Sequence, residues 1–124
     1  MTRVLVVEDN ARNLKLVRDV LQGNGFETLE ARNAEDGIAL ATALAPDIVL
    51  MDIQLPGVNG VDALKALRAN PATAAIPVIA VTACVTTRDV ERITAAGFDA
   101  FIAKPIRYAS FLGAVRAVLA KAAT

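Results

Sequence analysis

The chain has 124 residues, enough for one domain with a buried core. Its hydrophobic fraction of 55%, rich in Ala, Val and Leu, favours a compact fold over a disordered one. Thirteen basic residues balance thirteen acidic ones, so no basic stripe points to nucleic acid, and no apolar run is long enough to span a bilayer.

The opening Met1-Thr2-Arg3 leads straight into a strand, so no signal peptide and a cytoplasmic location are expected. A single Cys84 excludes an internal disulfide and fits a reducing compartment. With no His and one Cys, a zinc site of the usual ligands is excluded, whereas an oxygen-liganded hard cation is open.

In chain order, Val4 to Val7 reads as a buried strand that runs into Glu8-Asp9. Leu14, Val17 and Leu21 recur at helical spacing, and Gly23 and Gly25 punctuate the helix end. Phe26 to Ala31 alternates as an edge strand with Glu27 and Glu30 toward water. Ala34 to Leu44 predicts a second helix, stopped by Pro46. Asp47 to Met51 is a third strand, followed at once by Asp52 and a turn-rich loop with Pro56-Gly57 and Asn59-Gly60.

Val61, Leu64 and Leu67 mark a third helix ending near Asn70-Pro71, and Pro77 opens a fourth strand that runs into Thr82. A fourth helix spans Thr87 to Ala96 with Val90 and Ile93 inward and Gly97 as its cap. The fifth strand holds Phe101 and Ile102 and meets Lys104-Pro105; the last helix carries Phe111, Val115, Val118 and Leu119. Repeated βα units of this length imply right-handed crossovers and a parallel sheet with helices on both faces.

In an open α/β sheet, ligands bind outside the carboxyl ends of the strands. Glu8, Asp9, Asp52, Thr82 and Lys104 should therefore gather at one edge. Clustered carboxylates repel one another, and a divalent cation removes that penalty. Mg²⁺ takes one or two carboxylates and keeps several waters, so a small wet site is expected. Lys104 adds a mobile positive charge and Thr82 a hydroxyl donor. These parts suit phosphoryl transfer, with Asp52 as candidate nucleophile and Glu8 and Asp9 as candidate metal ligands. Each residue alone has a plainer reading: a helix-start acid, a turn, a strand hydroxyl.

Val6-Val7-Glu8-Asp9-Asn10, Met51-Asp52 through Gly60, Val81-Thr82-Ala83 and Lys104-Pro105 together resemble the receiver domains of two-component response regulators. The resemblance covers essentially the whole chain. Val6 to Leu21 and the loop after Asp52 look especially like the DivK-type single-domain regulators.

It implies one receiver domain over residues 1–124, with no effector domain. The implied fold is a flavodoxin-like, doubly wound, five-stranded parallel sheet of order 2-1-3-4-5 with five helices. It also implies that Asp52 accepts a phosphoryl group from a histidine kinase or histidine phosphotransfer protein. The chain would be a switch that assists its own phosphorylation and dephosphorylation rather than an enzyme.

Asp9 and Asp52 would bind Mg²⁺ (Mn²⁺ as a substitute), Glu8 acting through a water and Gln54 through its backbone carbonyl. Lys104 would pair with the phosphoryl group, next to a cis bond to Pro105. Thr82 and Phe101 would be the switch pair. Gln54 and Cys84 stand where the family tunes phosphoryl lifetime; neither is charged. Glu8 stands where Asp is frequent, and Phe101 where Tyr is frequent.

A kinase-docking surface would bring Asn13, Leu14, Val17, Ile106 and Tyr108 to a partner helix, although Leu14 and Val17 are also periodic enough for the core. Asn10 and Asn13 are candidate caps of the first helix. The face of the fourth helix, fifth strand and fifth helix would signal downstream and could carry a homodimer.

Three other classes remain. A receiver-fold interaction module could work without phosphorylation, against which the Asp52, Thr82 and Lys104 set argues. A nucleotide- or flavin-binding protein wants a glycine-rich turn after the first strand, where this chain has Glu8-Asp9-Asn10-Ala11-Arg12. A phosphatase with an aspartyl intermediate would turn over small phosphate esters.

Overall fold

In the computed structural model, residues 2–55, 57–83 and 86–123 are described. Five strands, β1 (Arg3–Val7), β2 (Glu27–Ala31), β3 (Ile48–Asp52), β4 (Val78–Thr82) and β5 (Ala100–Ala103), alternate with five helices. These are α1 (Ala11–Gly23), α2 (Ala34–Leu44), α3 (Gly60–Ala69), α4 (Thr87–Ala96) and α5 (Tyr108–Ala123). The sheet is parallel throughout, in the expected order β2-β1-β3-β4-β5.

The central strands are apolar on both faces because helices cover both. Val49, Met51, Val78 and Ala80 pack with α2, α3 and α4 through Ala41, Leu64, Leu67 and Ile93. Val4, Val6, Ile48, Leu50 and Ile79 pack with α1 and α5 through Leu14, Val17, Leu21, Phe111 and Val115. Alternation along each strand thus sorts side chains into two cores.

Side-chain oxygens set the helix starts. Asn10 Oδ1 accepts from the Arg12 and Asn13 amides, so Asn10 is the α1 cap and Asn13 lies in the first turn. Asn33 and Asn59 cap α2 and α3, and Thr86 with Asp89 forms a reciprocal capping box on α4. Helix α2 ends on Ala45 in the left-handed region, one residue before Pro46. Gly97 ends α4 at φ +103, a conformation that glycine adopts without a Cβ clash.

Several details depart from the sequence reading, among them the starts of β2 at Glu27 rather than Phe26 and of β3 at Ile48 rather than Asp47. Strand β3 runs one residue further than expected, so Asp52 is its last residue rather than the first of the loop. Val90 is only half-buried; Ile93 is the buried residue of α4, and Ala96 packs partly buried against the same core. Among the described residues no helix is long and apolar enough to cross a membrane.

Candidate functional site

The register explains why the acidic residues meet. Val7 pairs with Met51, so the next residues, Glu8 and Asp52, leave neighbouring strands at the same level. The Glu8 amide still bonds to Ala31 O (3.0 Å), which extends the ladder one residue past β1. The Ile53 amide bonds to Val81 O (3.0 Å) and the Lys104 amide to Thr82 O (2.8 Å). Each functional residue therefore sits on backbone that is tied to the next strand.

Asp52 is buried, with 2% of its surface exposed, and both oxygens are engaged. Oδ1 accepts from the Gln54 amide at 2.9 Å and Oδ2 from Lys104 Nζ at 2.8 Å. Glu8 is also buried. Its Oε1 lies 3.3 Å from Lys104 Nζ, and its Oε2 accepts from the Asn10 amide at 3.2 Å. One ammonium thus bridges two buried carboxylates.

Burial pushes Glu8 up from 4.5 to about 7, helped by its hydrogen bond with Asp52 and opposed by the Asn10 amide and the Lys104 charge. Burial on its own would lower Lys104, but the hydrogen bond and charge of Asp52, then those of Glu8, outweigh it and hold its pKa above the usual value.

Half-buried Asp9 completes the trio: Glu8, Asp9 and Asp52 each offer a carboxylate oxygen, all within 4.8 Å of one another. Three carboxylates gather where one ammonium pairs with two of them, Glu8 and Asp52, and the donors are hard oxygens. Such a set fits Mg²⁺ or Mn²⁺, whose charge would offset the burial and the neighbouring carboxylate that together raise Glu8.

The loop after β3 returns to the site through Gly60. Its amide bonds to Ile53 O (3.1 Å), and a Cβ there would lie 2.6 Å from Asp52 O and 2.7 Å from Ile53 Cα. Only glycine lets α3 begin this close to the Asp52 backbone. Pro56 in this loop lies outside the described residues.

Thr82 is the last residue of β4 and is buried. By alternation it belongs with Ala80 and faces the α4 side, where it lines a cavity of about 210 Å³ with Ile53, Gln54, Val61, Asp89, Arg92 and Ile93. The Gln54 side chain is exposed. The Lys104–Pro105 bond is cis. Phe101 lies on edge strand β5 with its side chain partly in solvent (36% exposed). Cys84 lies outside the described residues.

The proposed docking residues separate. Leu14 and Val17 are 7% and 4% exposed and pack beneath α1 with Val4, Val6 and Phe111, so they are core and not partner surface. Their i, i+3 spacing is the signature of the buried face. Leu16, which sequence reasoning did not select, is 45% exposed on the same helix. Asn13 and Ile106 are half-buried, and Ile106 packs against the α1–α5 core. Tyr108 is exposed, and its hydroxyl accepts from Asn24 Nδ2 at 3.1 Å.

Two polar anchors also escaped the sequence reading. Thr73 Oγ1 donates to Leu67 O at 2.7 Å, and Arg68 binds Ala74 O, Ile76 O and the Asp99 carboxylate. They hold the far end of α3, away from the site.

Residues 4–116 match the response regulator receiver domain family. The chain is 43% identical over 119 residues to the polar-differentiation response regulator DivK of Brucella anthropi, covering 96% of this chain and 97% of that protein. DivK of Brucella ovis is 42% identical with the same coverage.

Among solved structures, the receiver domain of the sensor histidine kinase PA1611 from Pseudomonas aeruginosa superposes with a TM-score of 0.89 at 27% identity, covering 96% of this chain and 98% of that one. That structure has a magnesium ion coordinated in its active site cleft. The chemotaxis protein CheY4 of Vibrio cholerae shares the fold with a TM-score of 0.90 at 24% identity, over 95% of this chain and 98% of that one. The chain belongs to the response regulator receiver domain family of two-component signalling.

Proposed function

We propose that this chain is a phosphorylation-driven switch in which Asp52 accepts a phosphoryl group from a phosphohistidine of a histidine kinase or phosphotransfer protein. The observation that carries the reading is the setting of Asp52: a buried carboxylate at a central strand end, 2.8 Å from a lysine ammonium and grouped with two further carboxylates.

In the transfer, an Asp52 oxygen forms the new O–P bond while the donor's P–N bond breaks. The electron pair of that bond stays with the imidazole, which takes up a proton. Lys104 already bridges Glu8 and Asp52, so it can follow the charge onto a phosphoryl oxygen without crossing solvent. The Gln54 amide holds Asp52 Oδ1, which leaves the carboxylate orientation defined. Asp9 and Asp52, with Glu8 beside them and the Gln54 carbonyl, would hold Mg²⁺, which supplies charge stabilisation for the equatorial oxygens.

The product is an acyl phosphate beside Lys104 and near the Thr82 cavity. The added charge draws the Thr82 hydroxyl toward it, vacating space on the α4 side that Phe101 follows inward. The changed face of α4, β5 and α5 then meets a downstream signalling protein or a second copy. The chain works in the cytoplasm as a substrate and catalyst of its own phosphorylation rather than as an enzyme with turnover.

Phosphoramidate tests the donor chemistry, because its P–N bond matches that of phosphohistidine. With Mg²⁺ it should give a hydroxylamine-cleavable acyl phosphate at Asp52. A label stable to hydroxylamine, or one retained in Asp52→Ala, would contradict the assignment.

A further inference from the structure

Arg32 follows the last residue of β2 and has no role in the chemistry above. At Ala31 and Glu8 the two strands make their final ladder bond and then part, Arg32 toward α2 and Asp9 toward α1. The exposed Arg32 side chain spans that gap, and its Nη2 donates to the Asp9 backbone carbonyl at 2.7 Å. The Asp9 carbonyl precedes the cap residue Asn10, whose own carbonyl accepts the first α1 ladder bond, from the Leu14 amide. Although the guanidinium stands at the rim of an acidic trio, among the described residues it makes no ion pair with any of the three. Its contact is with the neutral carbonyl of the trio's least buried member.

We propose that Arg32 is a positioning residue for the divalent-cation site: by holding the Asp9 carbonyl it sets where the Asp9 carboxylate stands. The inference rests on the cation-assisted reading given above. Charge and position act in opposite directions here. A positive group near a cation site weakens cation binding, so removing Arg32 purely as a charge should tighten it. Removing Arg32 as a brace should loosen it, because Asp9 is then free to sample other orientations.

Mn²⁺ affinity, read from the electron paramagnetic resonance signal of the free ion, separates the two. Wild type, Arg32→Met, Arg32→Lys, Asp9→Asn and the double variant Asp9→Asn/Arg32→Met are compared, with circular dichroism and the unfolding midpoint as controls. The brace predicts that Arg32→Met raises the Kd about 3- to 10-fold, at or below the usual range for outer-shell partners because the contact is with backbone. Arg32→Lys should recover part of the loss, and Arg32→Met should add nothing in the Asp9→Asn background. An unchanged or lower Kd in a folded Arg32→Met protein overturns the proposal. Failure of the cation site itself is separately visible, as absent Mn²⁺ binding in wild type or undiminished binding in Asp9→Asn, and either result overturns the proposal with it.

Discussion

Lys104 Nζ lies 2.8 Å from Asp52 Oδ2, across the sheet edge from the last residue of β3. The same nitrogen is 3.3 Å from Glu8 Oε1, so its removal leaves two buried carboxylates facing each other. Lys104→Met should slow labelling of Asp52 by acetyl phosphate about 100-fold or more, the usual scale for losing one preorganised charge donor. Intact mass against time measures this. A rate within a few-fold of wild type would make the lysine a structural counterion only.

Glu8 gives a pH signature. Its folded value of about 7 lies above the ordinary 4.5. Between these values the folded chain keeps a proton that the unfolded chain has lost, so stability falls as pH rises from 4.5 to 7. Urea unfolding in EDTA should show wild type losing about 1–3 kcal/mol more than Glu8→Gln across this window. Asp19 and Asp89 are held low by Lys15 and Thr86, so their influence lies below the window. Parallel profiles for the two proteins would contradict the buried, raised Glu8. Saturating Mg²⁺ should flatten the wild-type profile.

Gly60 and Gly113 form a matched pair. A Cβ at Gly60 meets the Asp52 and Ile53 backbone, which cannot rotate away, whereas one at Gly113 meets nothing within 4 Å. Gly60→Ala should cost about 1–3 kcal/mol and slow Asp52 labelling. Gly113→Ala, inside α5, should stabilise by about 0.5–1 kcal/mol and leave labelling unchanged. Denaturant midpoints and labelling rates read both effects. Equal stability for the two variants would mean that the loop is not seated on Asp52.

The two faces of α1 give a further contrast. Leu14→Ala removes a core side chain and should cost about 2–4 kcal/mol. Leu16→Ala should cost under about 0.5 kcal/mol and act on partner binding if α1 docks a kinase. Unfolding curves separate them, and a large loss at Leu16 would place it in the core instead.

Much of this architecture is legible in the chain because local chemistry and global fold agree. The β-branched runs mark buried strands, and each ends in the residue that the register carries to the site. Asn10, Asn59 and Gly97 mark helix ends by the bonds or backbone angles they allow. Other features have no local signal. Leu14 and Leu16 differ by only two positions, and their opposite fates follow from which face of α1 meets β1. The Arg32–Asp9 and Arg68–Asp99 contacts join residues 23 and 31 positions apart and obey no periodicity. The alternation that turns Thr82 toward α4 emerges only once β4 is set against β3 and β5.

The most direct test of the central claim is the intact mass of the purified protein after incubation with acetyl phosphate, with and without Mg²⁺, beside Asp52→Ala. The account predicts a gain of one phosphoryl group that needs Mg²⁺ and is absent in the variant. No gain in folded protein, joined by no spectral response to beryllofluoride with Mg²⁺, would contradict it and leave a receiver fold that binds its partners without phosphorylation.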